Sequence, residues 1–193
     1  MTADEQRPGA ALRAVPPEAG DSPQAPARLR LMVPADLPNV IALEHELFPE
    51  DPWSDAMFAD EVAQSADARL YLLAETTAAA NTGTDDGTGG GVGSLVMAGY
   101  AGMMFVPGGV AADVLTIAVR PDCWGQGIGS ALLDTLFTAA REHGCAEVFL
   151  EVRADNPRAH GLYLRRGFAD IGIRRGYYQP SGTDAIVMRK DLR

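Results

Sequence analysis

The sequence predicts a mixed α/β fold of the α+β kind: a twisted, mostly antiparallel sheet of about seven strands with helices on both faces. Three observations lead there. From Leu70 to Val119, strand-like apolar runs succeed one another with only turn or loop residues between them, which favours antiparallel pairing. After Val119 the order becomes glycine turn, helix, strand, helix, and a helix joining two strands implies one parallel pair. The chain has 193 residues, 47% of them apolar, enough for one domain with a proper core.

Residues 1–27 are rich in Ala, Pro, Gly and polar residues without periodicity, and read as a disordered tail before a domain at 28–193. Leu29–Val33 suits a first strand. Asp36 is placed to cap a helix carrying Val40, Ile41, Leu43, Leu47 and Phe48 at helical spacing, which Pro49 and Pro52 end. Ser54 can cap a second helix with Met57, Phe58 and Val62 on its buried face. Leu70–Ala74 is a strand. A glycine-rich insertion at about 78–92 reads as a flexible loop within a hairpin. Gly93–Val106 and Asp113–Val119 are the next strands. Leu132, Leu133, Leu136, Phe137 and Ala140 form one helix face, and Gly144 is a natural stop. Val148, Leu150 and Val152 alternate as a strand. Asn156-Pro157 is an N-cap followed by proline at the first helical position, and that helix runs to Gly167. Ala169–Tyr177 and Ala185–Arg189 complete the sheet.

The formal charge is −10, unevenly spread. Between Asp36 and Glu75 acidic residues face Arg69 alone, whereas the later half is rich in arginine. An anionic ligand would favour the later half and a cationic partner the earlier one, unless the acidic run is simply a solvated face. No basic face accompanies the charge, so nucleic acid is not an expected partner. No run of about 18 apolar residues is present, so no membrane span is expected. Nor does a basic patch followed by an apolar run open the chain, so the expectation is a cytoplasmic protein. The two cysteines, Cys123 and Cys145, fall in no metal-binding pattern and read as reduced thiols. Nothing beside Cys123 marks it as a nucleophile.

Gly125, Gly127 and Gly129 stand between a strand and a helix. They make either a tight turn or a nest of inward-facing N–H groups, backed by a helix N-terminus, for a pyrophosphate. The Gly-Lys-Ser/Thr of a Walker loop is absent, and Ser130 stands where the third glycine of a dinucleotide fingerprint would be. Downstream, Glu151 is out of phase with Val148, Leu150 and Val152 and points to the opposite sheet face. It is either paired with a nearby arginine or chemically used. Tyr163, on the following helix, either packs that helix on the sheet or serves as an acid. Capping alone accounts for Asn156.

The run Trp124-Gly125-Gln126-Gly127-Ile128-Gly129 resembles the Q/R-x-x-G-x-G/A turn with which acetyltransferases of the GNAT superfamily grip the CoA pyrophosphate, with Trp124 departing from the first position. With FPEDPWS, TIAV, LEVRADN, GLYLRRGF and IRRGYY, the stretch from about Leu29 to Arg189 is similar to the RimI-type branch, which acetylates the N-terminal alanine of a small-subunit ribosomal protein. The resemblance implies a GNAT fold, acetyl-CoA as donor and no metal. It implies Glu151 as base and Tyr163 as acid, with Ile117, Ala118, Val119, Gly125, Gln126, Gly127, Ile128, Gly129, Ser130 and Asn156 against acetyl-CoA. Arg174, Arg175, Tyr177 and Tyr178 would belong to a loop that helps receive the peptide. The expected partner is a ribosomal or other protein N-terminus, and the expected state a monomer or weak dimer. The alternatives are a lysine or small-molecule amine as acceptor, or a CoA-binding module without catalysis.

Overall fold

In the computed structural model the described residues are 27–64, 67–77, 95–106 and 108–193. Residues 1–26 of the expected tail, and the expected insertion at about 78–92, lie outside them. The strands are β1 (Arg28–Leu31), β2 (Arg69–Thr77), β3 (Leu95–Phe105), β4 (Ala111–Val119), β5 (Glu147–Arg153), β6 (Ala169–Tyr178) and β7 (Thr183–Asp191). The helices are α1 (Leu37–Leu47), α2 (Asp55–Val62), α3 (Ile128–Glu142) and α4 (Pro157–Arg165). Among the described residues the seven strands form one sheet in the order β1-β2-β3-β4-β5-β7-β6. Every neighbouring pair is antiparallel except β4 and β5, which α3 connects in parallel, as the strand–helix–strand order predicts.

Alternation along the strands builds a core on each face. Leu70, Leu72 and Ala74 of β2 face one side with Leu132, Leu133, Leu136 and Phe137 of α3. Tyr71 and Leu73 face the other side with Val40 and Leu43 of α1 and Phe58 of α2. Burying each such large side chain contributes about 1.5–3 kcal/mol, so both helical layers are held by packing rather than by helix propensity. α3 and α4 both end on a left-handed glycine, Gly144 and Gly167, as read from the sequence. In each case the next N–H reaches back five residues, Cys145 to the Ala140 carbonyl and Phe168 to the Tyr163 carbonyl.

Three expectations need correction. Asp36 precedes α1 but does not cap it with its side chain. Its carboxylate is held by Arg30 at 2.6 and 2.7 Å and accepts the Val33 N–H, so a buried-edge ion pair outcompetes the cap. Arg30 holds that carboxyl well below the ordinary range. Nor is the acidic run a uniformly free face. Glu75 pairs with Arg30, Glu61 with Arg69, and Glu50 and Asp51 with Arg153. Strand ends shift as well: β2 runs on to Thr77 because Glu75, Thr76 and Thr77 find ladder partners in Met97, Val96 and Leu95, which alternation alone does not reveal.

The feature that matters for function is a split in the sheet. β4 and β5 pair only from Ala111–Val114 to Glu147–Leu150, although each strand continues. The cause is a bulge: Gly102 pairs with Thr116 but Met103 with Val114, so Leu115 is an extra residue in β4. A bulge bends its strand and ends regular pairing. Beyond it, Thr116–Val119 keep β3 on one side and leave β5 on the other.

Candidate active site

A cleft of about 560 Å³ opens where β4 and β5 part, walled by the end of β4, the glycine turn and α4. Ile117, Ala118, Val119, Gly125, Gly127, Ile128, Gly129, Ser130 and Asn156, which the resemblance sets against acetyl-CoA, all line it. Gln126 does not: its side-chain amide turns back to donate to the Asp122 carbonyl at 3.2 Å, bracing the turn from behind.

The turn is shaped for an anion. Gly125 and Gly127 have φ of 78° and 81°, the left-handed region that glycine enters without strain. Gly127 is the N-cap of α3 and has no side chain to offer its first turn. The first intrahelical bond reaches Gly127 from Ala131. Among the described residues, the N–H groups of Ile128, Gly129 and Ser130 therefore have no protein acceptor, and the positive end of the α3 dipole adds to them. At Gly129 a Cβ would stand 3.2 Å from Leu162 Cδ2, so the absent side chain lets α4 close on α3.

A second cavity of about 140 Å³ lies on the far side of the split. Glu151 lines it, on the face opposite Val148, Leu150 and Val152, which are buried as the alternation predicts. Glu151 pairs with Arg174 at 3.3 Å, as the first of its two readings expects, and also contributes to the cavity wall. Tyr163 is 5% exposed and lines both cavities, as do Ile117, Asn156, Ala159 and Phe48. Its ring packs edge-on against Phe168 with centroids 5.8 Å apart, so it is core aromatic and site residue at once. Among the described residues its hydroxyl has no protein hydrogen-bond partner, and no buried side-chain polar atom is left unsatisfied, so the hydroxyl opens onto the cavities. Burial, with Tyr178 nearby, pushes its pKa above the ordinary phenol value and keeps it protonated. Asn156 spends its Oδ1 on the Ala159 N–H at 3.1 Å, capping α4 as predicted while it stands in both walls.

Several residues of the site escape sequence reasoning. Phe48 ends the α1 periodicity and reads as core, yet it forms the wall between the cavities. Glu44, 2% exposed, takes hydrogen bonds from the Tyr100 hydroxyl and the Trp53 N–H, and lines the smaller cavity. Burial raises its pKa against those bonds. Arg153 joins Asp51, Asp155 and Thr183 and lies 5.3 Å from the Tyr178 ring, fastening the segment after α1 to β5 and β7. Tyr178 donates to the Glu151 carbonyl at 3.4 Å, and burial pushes its pKa up to about 12. Arg174, Arg175, Tyr177 and Tyr178, which the resemblance puts in a loop, lie instead at the end of β6. There, irregular pairing between Arg174 and Tyr178 displaces the strand, as bulges beside active sites do. Cys123 lines the large cleft, but burial and Asp122 raise its pKa, so it remains a thiol.

Known proteins are similar to this chain in sequence and fold. The model of the acetyltransferase (GNAT) family matches residues 38–168. The chain is similar to the N-alpha-acetyltransferase RimI of Mycobacterium tuberculosis, 36% identical over 169 residues, covering 86% of this chain and 93% of that one. It is 36% identical over the same length to an uncharacterized Mycobacterium leprae protein, of which the match spans only 41%. The crystal structure of the ribosomal-protein-S18-alanine N-acetyltransferase from Escherichia coli superposes with a TM-score of 0.63 at 31% identity, covering 86% of this chain and 94% of that one. Family model and relatives together show that the chain belongs to the GNAT family of acetyltransferases.

Proposed function

We propose that this protein transfers the acetyl group of acetyl-CoA to the N-terminal α-amino group of a protein, its substrate being the N-terminal alanine of a small-subunit ribosomal protein. One observation carries the reading. A cleft ending on uncapped helix amides meets a smaller acidic cavity at Tyr163, Ile117 and Asn156, and Glu151 stands on the acidic side. The first cavity suits a long anionic donor and the second suits a cationic amine. The names of the Mycobacterium tuberculosis and Escherichia coli relatives support the acceptor.

The donor-side residues fit acetyl-CoA on the chemistry of this turn. The N–H groups of Ile128, Gly129 and Ser130 would hold the pyrophosphate, and the free edge of β4 at Ile117–Val119 would hold the pantetheine arm and thioester carbonyl. When bound, acetyl-CoA supplies the activated acyl group. Glu151 takes the proton from the acceptor ammonium, directly or through water, so that a neutral amine reaches the acyl carbon. N–H groups at the β4 edge stabilise the charge that develops on the carbonyl oxygen. Tyr163 gives its proton to the sulfur as the C–S bond breaks. Glu44, Asp51 and Glu151 outnumber Arg153 around the acceptor cavity, a balance that attracts a positively charged N-terminus.

The test is mass spectrometry of peptides incubated with the protein and acetyl-CoA. Peptides that begin with alanine should gain a single acetyl group, and the same peptides blocked at the N-terminus should gain none. Among ribosomal proteins one small-subunit N-terminal alanine should be modified. Acetylation of lysines in blocked peptides, or of free polyamines alone, would overturn the acceptor. Failure of every acceptor while CoA still binds would overturn catalysis.

A further inference from the structure

The first position of the pyrophosphate turn poses a problem of charge. Trp124 stands there and gives its indole N–H to the Val119 carbonyl at 2.8 Å, so it offers a phosphate nothing. Across the cleft mouth, however, the guanidinium of Arg158 lies 4.0 Å above the Trp124 ring. Stacking of this kind holds a guanidinium flat and leaves the N–H groups on its edge free to donate. Among the described residues Arg158 has no carboxylate partner, and it lines the cleft beside Gly125 and Gly127.

Arg158, Leu162 and Arg165 recur at i, i+4 and i+7, and all three line the same cleft. A Cβ built on Gly161 would lie 3.2 Å from a terminal guanidinium nitrogen of Arg165. The Arg165 side chain thus folds back along α4 towards the glycine turn. It also borders a cavity of about 500 Å³ with Arg141, Arg166 and Lys190, a positive region in a chain of net charge −10. The neighbours there are engaged: Arg166 with Asp134, Arg141 with the Leu192 carbonyl, and Lys190 over the Phe137 ring. Arg165 has no carboxylate partner among the described residues and stands where the two cavities join.

We propose that these two arginines divide the phosphates of CoA between them, Arg158 on its Trp124 platform binding the pyrophosphate and Arg165 binding the ribose 3′-phosphate. The proposal rests on acetyl-CoA being the donor. Trp124 then replaces a polar residue without loss of charge, because it seats a cation delivered by α4. Arg165 becomes the residue by which the protein tells CoA from dephospho-CoA.

The experiment is a calorimetric titration of the full chain with CoA and with dephospho-CoA. The wild type should bind CoA about ten- to a hundredfold more tightly than dephospho-CoA, the effect of one charge-assisted contact. Arg165→Gln should weaken CoA by about that factor and leave dephospho-CoA unchanged, so that the preference vanishes. Arg158→Gln should weaken both ligands alike and preserve the preference. Arg158→Lys should restore less than the arginine gives, because lysine stacks poorly on indole. Both side chains are exposed, so the variants should keep the wild-type thermal midpoint. Equal weakening of both ligands by Arg165→Gln, or no effect of Arg158→Gln, would overturn the assignment. A wild type that binds neither ligand would overturn the acetyl-CoA reading itself, an outcome seen before any variant is made.

Discussion

At the scale of single residues, the proposed mechanism asks the same side chains to serve packing and chemistry together. Tyr163 is anchored by the backbone turn that ends α4 and by the edge of Phe168, and its hydroxyl opens onto the cavities the residue lines. Removing only that oxygen separates the two roles. Tyr163→Phe should lower kcat by about 10²–10⁴ and leave CoA affinity and fold unchanged, as measured by acetylation kinetics and calorimetry. Glu151→Gln should lower kcat by a similar factor, since the amide keeps the shape but cannot accept the ammonium proton. The loss should shrink as pH rises towards the acceptor amine's own pKa, where the amine sheds its proton unaided. Unchanged turnover in both variants would withdraw the acid–base assignment. Glu44 is the contrasting case, a buried carboxylate kept by the Tyr100 hydroxyl and the Trp53 amide to join α1 to the sheet.

At the scale of elements, the local features were legible, and of the long-range ones only the antiparallel succession of the early strands and the parallel pair across α3. The alternation Val148, Leu150, Val152 placed β5 and the outward face of Glu151, and Asn156-Pro157 placed the start of α4. Gly125 and Gly127 announced the turn through the conformations only glycine enters freely. None of these signals tells which strands adjoin, nor that Leu115 would bulge and part β4 from β5. Pairings such as Tyr100 with Glu44, or Arg153 with Asp51, join residues far apart in the chain, and no periodicity encodes them. The Arg153 cluster is also where an element can be tested. It holds the segment between α1 and α2 over the acceptor cavity through Asp51 at 3.4 Å and Glu50 at 3.4 Å. Arg153→Ala should free that segment and raise KM for the acceptor peptide roughly tenfold, a loss of about 1.4 kcal/mol. The donor cleft is built from other elements, so CoA affinity should hold. A KM change for acetyl-CoA of the same size would show instead a general loosening of the sheet.

At the scale of the whole molecule, the tyrosines tie its stability to pH. Tyr71, Tyr100 and Tyr163 are each nearly inaccessible, and burial raises the pKa of all three, helped at Tyr71 by Glu61 and at Tyr100 by Glu44. The unfolded chain releases its phenolic protons near pH 10, whereas the folded chain retains them. Above that pH the unfolded state therefore binds fewer protons than the native state, and stability must fall as pH rises. Below it both states are protonated and these groups have no effect. Each buried tyrosine then costs up to about 1.4 kcal/mol per pH unit until its folded pKa is passed. Several act at once, so the thermal midpoint should hold near neutrality and drop steeply beyond about pH 10. Phenolate absorbance of these buried rings should appear only together with loss of the circular dichroism signal. Tyr71→Phe, which removes one such group, should flatten the alkaline slope without altering the midpoint's pH dependence near neutrality. Native protein whose tyrosines all titrate near the ordinary value, before any unfolding, would contradict the burial on which both the core and the proposed role of Tyr163 as an acid depend.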